Sequence, residues 1–218
     1  MQVVSEQARS QTGRRENRKK AIRDRIVRAT IELHQTLGPA HTTISDIARR
    51  AGVQRLTVYR YFPDERALRR ACSTEYRVWN PPPDPEAWLG IADPEARLEQ
   101  ALSEVIPYYR RTAPMLSRVL RDAEVNPLVR EAAEGRYQYN ARVRQVLEVG
   151  WKVRGRRLRL LRAAIAHAVD FRAWESLSAS GLDDMEVAEV LTGFVDQVAR
   201  PCGRNANSRR RGVLQQIL

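Results

Sequence analysis

The stretch TTISDIARRAGVQRLTVYRYFPD, Thr42–Asp64, decides how this chain folds. Thr43 stands three residues before Asp46, the spacing of a capping box, and Ile44, Ile47, Ala48 and Ala51 then form one apolar helical stripe. Gly52 closes that helix. A second short helix is expected from Gln54 or Arg55 to about Tyr61, where Pro63-Asp64 stops it. Its two turns carry Arg55, Thr57, Tyr59, Arg60 and Tyr61, more hydrogen-bonding side chains than a helix needs in order to hold a core.

Two short helices joined across a glycine are the geometry of a helix-turn-helix. Gly52 permits the turn, and Ala48 and Val53 let the helices approach closely. The second helix of such a unit enters the DNA major groove, where it must present donors and apolar contacts. Arg55 has the fork for a guanine edge and Leu56 the apolar surface for a thymine methyl. Gln54 and Arg60 flank them, while Thr57, Tyr59 and Tyr61 bring hydroxyls to the phosphates beside the groove. Thr42 and Thr43, with the free N–H groups at the start of the first helix, make a further phosphate site. By spacing, Val58 and Phe62 hold the reading helix on its core.

Outward from this motif the chain carries helix signals and almost no strand signals. Residues 1–17 are polar, charged and aperiodic, the composition of a disordered basic arm. Ile22, Ile26, Ala29, Thr30, Leu33 and Leu37 form a stripe that closes at Gly38-Pro39. Beyond the motif, Asp64 caps a fourth helix with Ala67, Leu68, Ala71 and Tyr76. NPPPDPEAW, Asn80–Trp88, then forbids helix and favours extended geometry, so it marks a boundary.

The segment after the boundary opens at Asp93-Pro94 with a helix that must kink or end at Pro107. Pro114 and Asn126-Pro127 signal two further starts, and 127–151 is helical in pattern with Gly135 inside it. Residues 156–180 read as one helix with two apolar stripes, one of Leu158, Leu161, Ile165, Ala168 and Val169, the other of Leu160, Ala164, His167, Phe171 and Trp174. Asp183 with Glu186 starts a last helix whose single stripe is Val187, Val190, Leu191, Phe194, Val195 and Val198. The expected fold is all-α with about nine helices. Its parts are an arm at 1–17, a helix-turn-helix domain at 18–79, a Pro-rich linker at 80–93, a helical domain at 94–201 and a disordered basic tail at 202–218.

Charge follows the same division. The chain's net charge is +12, but residues 1–78 hold 17 Lys/Arg against 8 Asp/Glu. Residues 79–199 hold 16 against 18, and residues 200–218 hold 5 arginines and no acid. A basic head and tail around a neutral body suit a polyanion partner at one end of the molecule. The two cysteines, Cys72 and Cys202, lack metal or redox spacing, which suits a reducing cytoplasm. No apolar run is long enough to span a bilayer. The three histidines, His34, His41 and His167, have no metal-type spacing, and no phosphate loop, GxSxG or other catalytic signature occurs. An enzyme, a metal site and a cofactor are therefore not expected.

The run TTISDIARRAGVQRLTVYRYFPDERAL resembles the DNA-binding domain of the TetR family of bacterial transcriptional regulators, over about residues 18–70. That resemblance implies a cytoplasmic homodimer on a palindromic DNA operator, acting as a repressor and released by a small-molecule effector that enters the body and shifts the two heads apart. It also implies that the last two helices pair with their counterparts. Their stripes nominate Leu161, Ile165, Val169, Val187, Leu191, Phe194, Val195 and Val198 for that interface. The sequence departs from the family at Glu65, where a phosphate-binding lysine is common. Glu65 is expected to cap its own helix instead, and Arg66 or the arm residues Arg14, Arg15, Arg18, Lys19 and Lys20 to supply the missing contact. The arm equally suits a solvated tail, and a non-specific DNA clamp with no effector is the alternative reading of the whole. For the effector, helical placement nominates Tyr108, Tyr109, Met115, Tyr137, Trp151, His167, Phe171 and Trp174. His167 serves either as a donor from an apolar wall or as a core or interface histidine.

Overall fold

A computed structural model describes the backbone of residues 2–200 and the side chains of residues 13–200. The expected tail at 202–218 lies outside the described residues. Among those described, the chain is all-helical, with ten α-helices and two short 3-10 segments. The helices are α1 Gln2–Thr36, α2 Ile44–Ala51, α3 Arg55–Tyr61, α4 Glu65–Trp79, α5 Pro94–Val125, α6 Pro127–Ala132, α7 Glu134–Leu147, α8 Gly155–Ala168, α9 Phe171–Ala179 and α10 Asp184–Ala199. No described helix is long and apolar enough to cross a membrane.

Four expectations about these elements are corrected. The arm read as disordered to residue 17 continues α1 instead. No proline interrupts it, and Gln, Arg, Glu and Lys are good helix formers. The stretch 80–93 is not simply a linker. Asp84 accepts from the Glu86 N–H to start a 3-10 segment, Pro85–Gly90, and Trp88 within it is buried, donating its indole N–H to Glu104 at 3.2 Å. Of the alternatives at Pro107, a kink or an end, the end does not occur, and Pro114 starts no new helix: α5 runs through both. Each internal proline costs about 3 kcal/mol. Burial of Leu98, Leu102, Val105, Ile106 and Tyr109 along the same helix outweighs that, at ~1.5–3 kcal/mol for each side chain. Finally, the single helix expected at 156–180 is two. Asp170 accepts from the Arg172 N–H and so caps a new helix in the middle of the apolar run.

The chain divides into two compact units that do not follow the proline boundary. Of the described residues, unit 1 holds 2–82 with 108–139 and unit 2 holds 83–107 with 140–200, so α5 passes from one to the other after Pro107. Unit 1 is built on Ile26, Val27, Ile31, Ile44, Ile47, Ala48, Val58, Phe62, Leu68, Cys72 and Met115. In unit 2 the buried Arg97 takes the place of a carboxylate-paired cation: it donates to the carbonyls of Ile91, Ala92, Val146 and Val149, closing the loop after α7.

Candidate nucleic-acid interface and cavity

The helix-turn-helix is set by its caps. Thr43 accepts from the Asp46 N–H, and the Asp46 carboxylate accepts from the Thr43 N–H and hydroxyl. The Thr43 hydroxyl and N–H hold the Asp46 carboxyl below the usual carboxylate range. Gly52 ends α2 in the left-handed region, φ 63 and ψ 43, with its N–H returned to the Ala48 and Arg49 carbonyls. A side chain there costs about 1 kcal/mol.

Helix α3 hangs on the core by Val58, which is completely covered, with Phe62 just past its end under the Arg23 guanidinium, 5.5 Å from the ring centroid. Everything else faces outward or lies half-buried. Gln54, Arg55, Leu56, Tyr59 and Arg60 are exposed, Leu56 at 78%, while Thr57 and Tyr61 are half-buried. Gln54 caps α3 by backbone alone, which leaves its amide for other contacts. Among the described residues Arg55 and Arg60 have no carboxylate partner, whereas Arg49 is held by Asp46 at 2.5 Å and Arg50 by Glu32 at 2.6 Å. An exposed apolar side chain flanked by two uncommitted guanidiniums on one short helix matches the chemistry of a major-groove edge.

The flanking candidates are arranged differently. The Thr42 hydroxyl donates to the Gly38 carbonyl at 2.8 Å and that of Thr43 to Asp46, so both protons serve local turns. A phosphate at this end would meet these hydroxyls together with the backbone N–H groups at the start of α2. Arg66 pairs with Glu131 of α6 at 3.0 Å on the surface, a pair that a phosphate would have to displace. Asp64 caps α4, accepting from the Ala67 N–H at 2.7 Å, and Glu65 stands in the first turn, where its charge suits the helix N-terminus and pairs with Arg69 one turn on. The basic residues Arg14, Arg15, Arg18, Lys19 and Lys20 are exposed along α1.

Unit 1 also holds an open-mouthed cavity between α1, α4, α5, α6 and the start of α7. Of the residues nominated for an effector, it gathers Tyr108 and Met115. Tyr109 is buried beside it with the Arg136 guanidinium 5.6 Å over its ring, and Tyr137 points to solvent. Trp151, His167, Phe171 and Trp174 belong to unit 2 and do not join this cavity. There Trp151 donates to the Leu147 carbonyl, Phe171 and Trp174 pack 5.2 Å apart inside, and His167 is exposed with its ring edge-on to Phe194.

What the sequence reading passed over is α4. Arg69, Cys72, Ser73 and Tyr76 line the cavity. Their spacing of three, four and seven residues is the signal that could have found them. His34 and Cys72 face each other there at 3.6 Å. Burial, then the Arg69 cation, lowers the His34 imidazole to about 3, and burial pushes the Cys72 thiol up to about 12. Both are neutral near pH 7, so this thiol has no thiolate character to support reactivity. Below the cavity, Asp122 accepts from the Ala40 N–H at 2.8 Å, while Arg118 and Arg121 donate to the Thr36 and Leu37 carbonyls. The turn leading into α2 is therefore tied to α5. Burial alone would raise the Asp122 carboxyl, but hydrogen bonds from Arg121 and the Ala40 N–H, with the nearby cations, hold it below the usual range.

In unit 2 the residues nominated for an interface divide by face. Leu161, Ile165, Val169, Val187, Leu191 and Val195 are covered within the chain, in the seam between α8 and α10, and Val198 is half-buried. Phe194 alone of the eight is exposed, and it shares the outer face with Leu160, His167 and Val190. Within the single chain, the open side of α8 and α10 is therefore the one that carries Leu160, His167, Val190 and Phe194.

Residues 26–72 match the model of the tetR family of bacterial regulatory proteins. Among solved structures, the chain is similar to a TetR-like transcriptional regulator from a Rhodococcus species. The two are 17% identical with a TM-score of 0.57, covering 80% of this chain and 93% of that one. It is also similar to the TetR family regulator PfmR of Thermus thermophilus, at 20% identity and a TM-score of 0.55, covering 84% and 98%. Identity this low speaks for the fold. No curated protein matches the chain significantly.

Proposed function

We propose, from the match of residues 26–72 to the model of the tetR family of bacterial regulatory proteins, that the chain is a sequence-specific DNA-binding transcriptional regulator, a cytoplasmic repressor released by a small molecule. One observation carries the reading: α3 keeps Val58 inside and turns Gln54, Arg55, Leu56, Tyr59 and Arg60 outward, with no acid on that face. One such helix reads too few base pairs for high specificity. Two of them ~34–36 Å apart on one face of a duplex suffice, which calls for a homodimer on a palindromic operator. The exposed apolar face of α8 and α10, with Leu160, His167, Val190 and Phe194, supports that dimer, since contiguous exposed apolar surface marks an association site. Repression needs only that the bound dimer occlude polymerase.

The basic face of α1 favours a second reading, a non-specific duplex clamp. Selection of binding sites from random duplexes at physiological salt separates the two. An enriched palindrome, held ~10³-fold or more over random DNA, supports the regulator. Salt-sensitive binding to every duplex alike refutes it in favour of the clamp.

A further inference from the structure

The cavity of unit 1 has a one-sided electrostatic character. Its lining includes Arg69, Arg77 and Arg136 and no aspartate or glutamate. Arg69 is already engaged, by Glu65 at 3.3 Å and the Pro39 carbonyl at 3.2 Å. Arg77 is not: among the described residues no carboxylate pairs with it. It lies exposed at the mouth, against the bare Cα of Gly135, where any side chain would overlap the guanidinium. Arg111 stands 5.6 Å over the Tyr108 ring, so Tyr108 sits among Arg77, Arg111 and Arg136. The inner wall is the opposite in kind. Met115, Leu116, Val129 and Ala133 are buried and apolar, and the polar pair beside them, His34 and Cys72, is uncharged.

We propose that this cavity takes an organic acid with an apolar body, its anionic group held at the mouth by Arg77, Tyr108 and Arg136 and its body along Met115, Leu116 and Val129. The assignment of this acid as the releasing effector rests on the regulator reading above; the binding itself does not. With a neutral ligand the Arg77 guanidinium stays hydrated, whereas an acid gains charge-assisted hydrogen bonds there and still buries apolar surface behind them. The absence of a side chain at Gly135 is what lets Arg77 take this position.

The test uses the full chain and two matched pairs, octanoate with octanamide and 4-phenylbutyrate with its amide, titrated calorimetrically. At least one acid is expected to bind ~10-fold or more tighter than its amide. Arg77→Gln removes that preference while leaving amide binding and Tm unchanged, and Gly135→Val does the same by displacing the guanidinium. Equal affinity for acid and amide overturns the proposal, as does binding of none of the four at millimolar concentration. A preference that survives Arg77→Gln also overturns it. The selected duplex supplies a separate readout. If an acid binds as expected but leaves duplex affinity unchanged, the ligand class stands and the release by that acid fails.

Discussion

The helix α3 and the pair α8–α10 are both two-sided, and they differ in what covers each side. In α3 the sides differ in polarity, so Val58 goes inward and Arg55, Leu56, Tyr59 and Arg60 outward, as their spacing requires. In α8 both sides are apolar, and the single stripe of α10 is wide enough to extend past the part the chain covers. The stripe of Leu161, Ile165, Val187, Leu191 and Val195 looks open to a partner in the sequence, yet the chain closes it on itself and leaves Leu160, Val190 and Phe194 outside. Where faces contrast, periodicity identifies the inner one. Where both are apolar, only the packing of the other helices decides.

The sharpest way to break this contrast is at two adjacent residues of α10. Val195→Asp puts a charge where exposure is zero and is expected to destabilise the fold by about 4 kcal/mol or more, read as a collapse in Tm. Phe194→Asp, on a side chain 47% exposed, is expected to keep Tm within a few degrees while sedimentation reports monomer. A stable dimer for Phe194→Asp would move the interface elsewhere.

Acid tests the core of unit 1 rather than a face. The unfolded chain protonates His34 below about 6.5, but the buried imidazole takes its proton only at about 3. Stability from this residue is therefore complete above pH 6.5 and is lost as pH falls toward 3, by about 2 kcal/mol at pH 5. His34→Gln should flatten that part of the stability profile in chemical denaturation, and an unchanged profile would mean that the site opens to solvent.

On the outer face of α3, Arg55→Ala is expected to cost ~1–3 kcal/mol of binding and to relax one base position in the site selection. Undiminished selectivity would take Arg55 out of the groove. The smallest effect is expected at the half-buried Tyr61, where Tyr61→Phe should weaken binding by ~0.5–1.5 kcal/mol on all sequences equally. A loss confined to one base pair would make it a base reader.

The legibility of the candidate sites varies for physical reasons. The capping box of Thr43 and Asp46, the glycine turn and the outward set of α3 are local, each settled within a turn or two of chain. The helical state of α5 through Pro107 and Pro114 is not local. Its prolines argue for breaks, and only the burial of Leu98, Leu102, Ile106 and Tyr109 overrules them. The pairing of Arg66 with Glu131 joins residues 65 positions apart, a distance that no spacing rule reaches.

By itself, then, the sequence determined the all-helical class, the helix-turn-helix, its caps and the residues it presents, because capping, turn chemistry and helical period act over a few neighbouring residues. Tertiary structure decided the division of the chain after Pro107, the side of α8 and α10 left open, and the gathering of Arg77, Tyr108 and Arg136 around a cavity without an acid. Each of those depends on which distant segment covers a surface. That is settled by the summed burial of many side chains, which no single stretch of sequence contains.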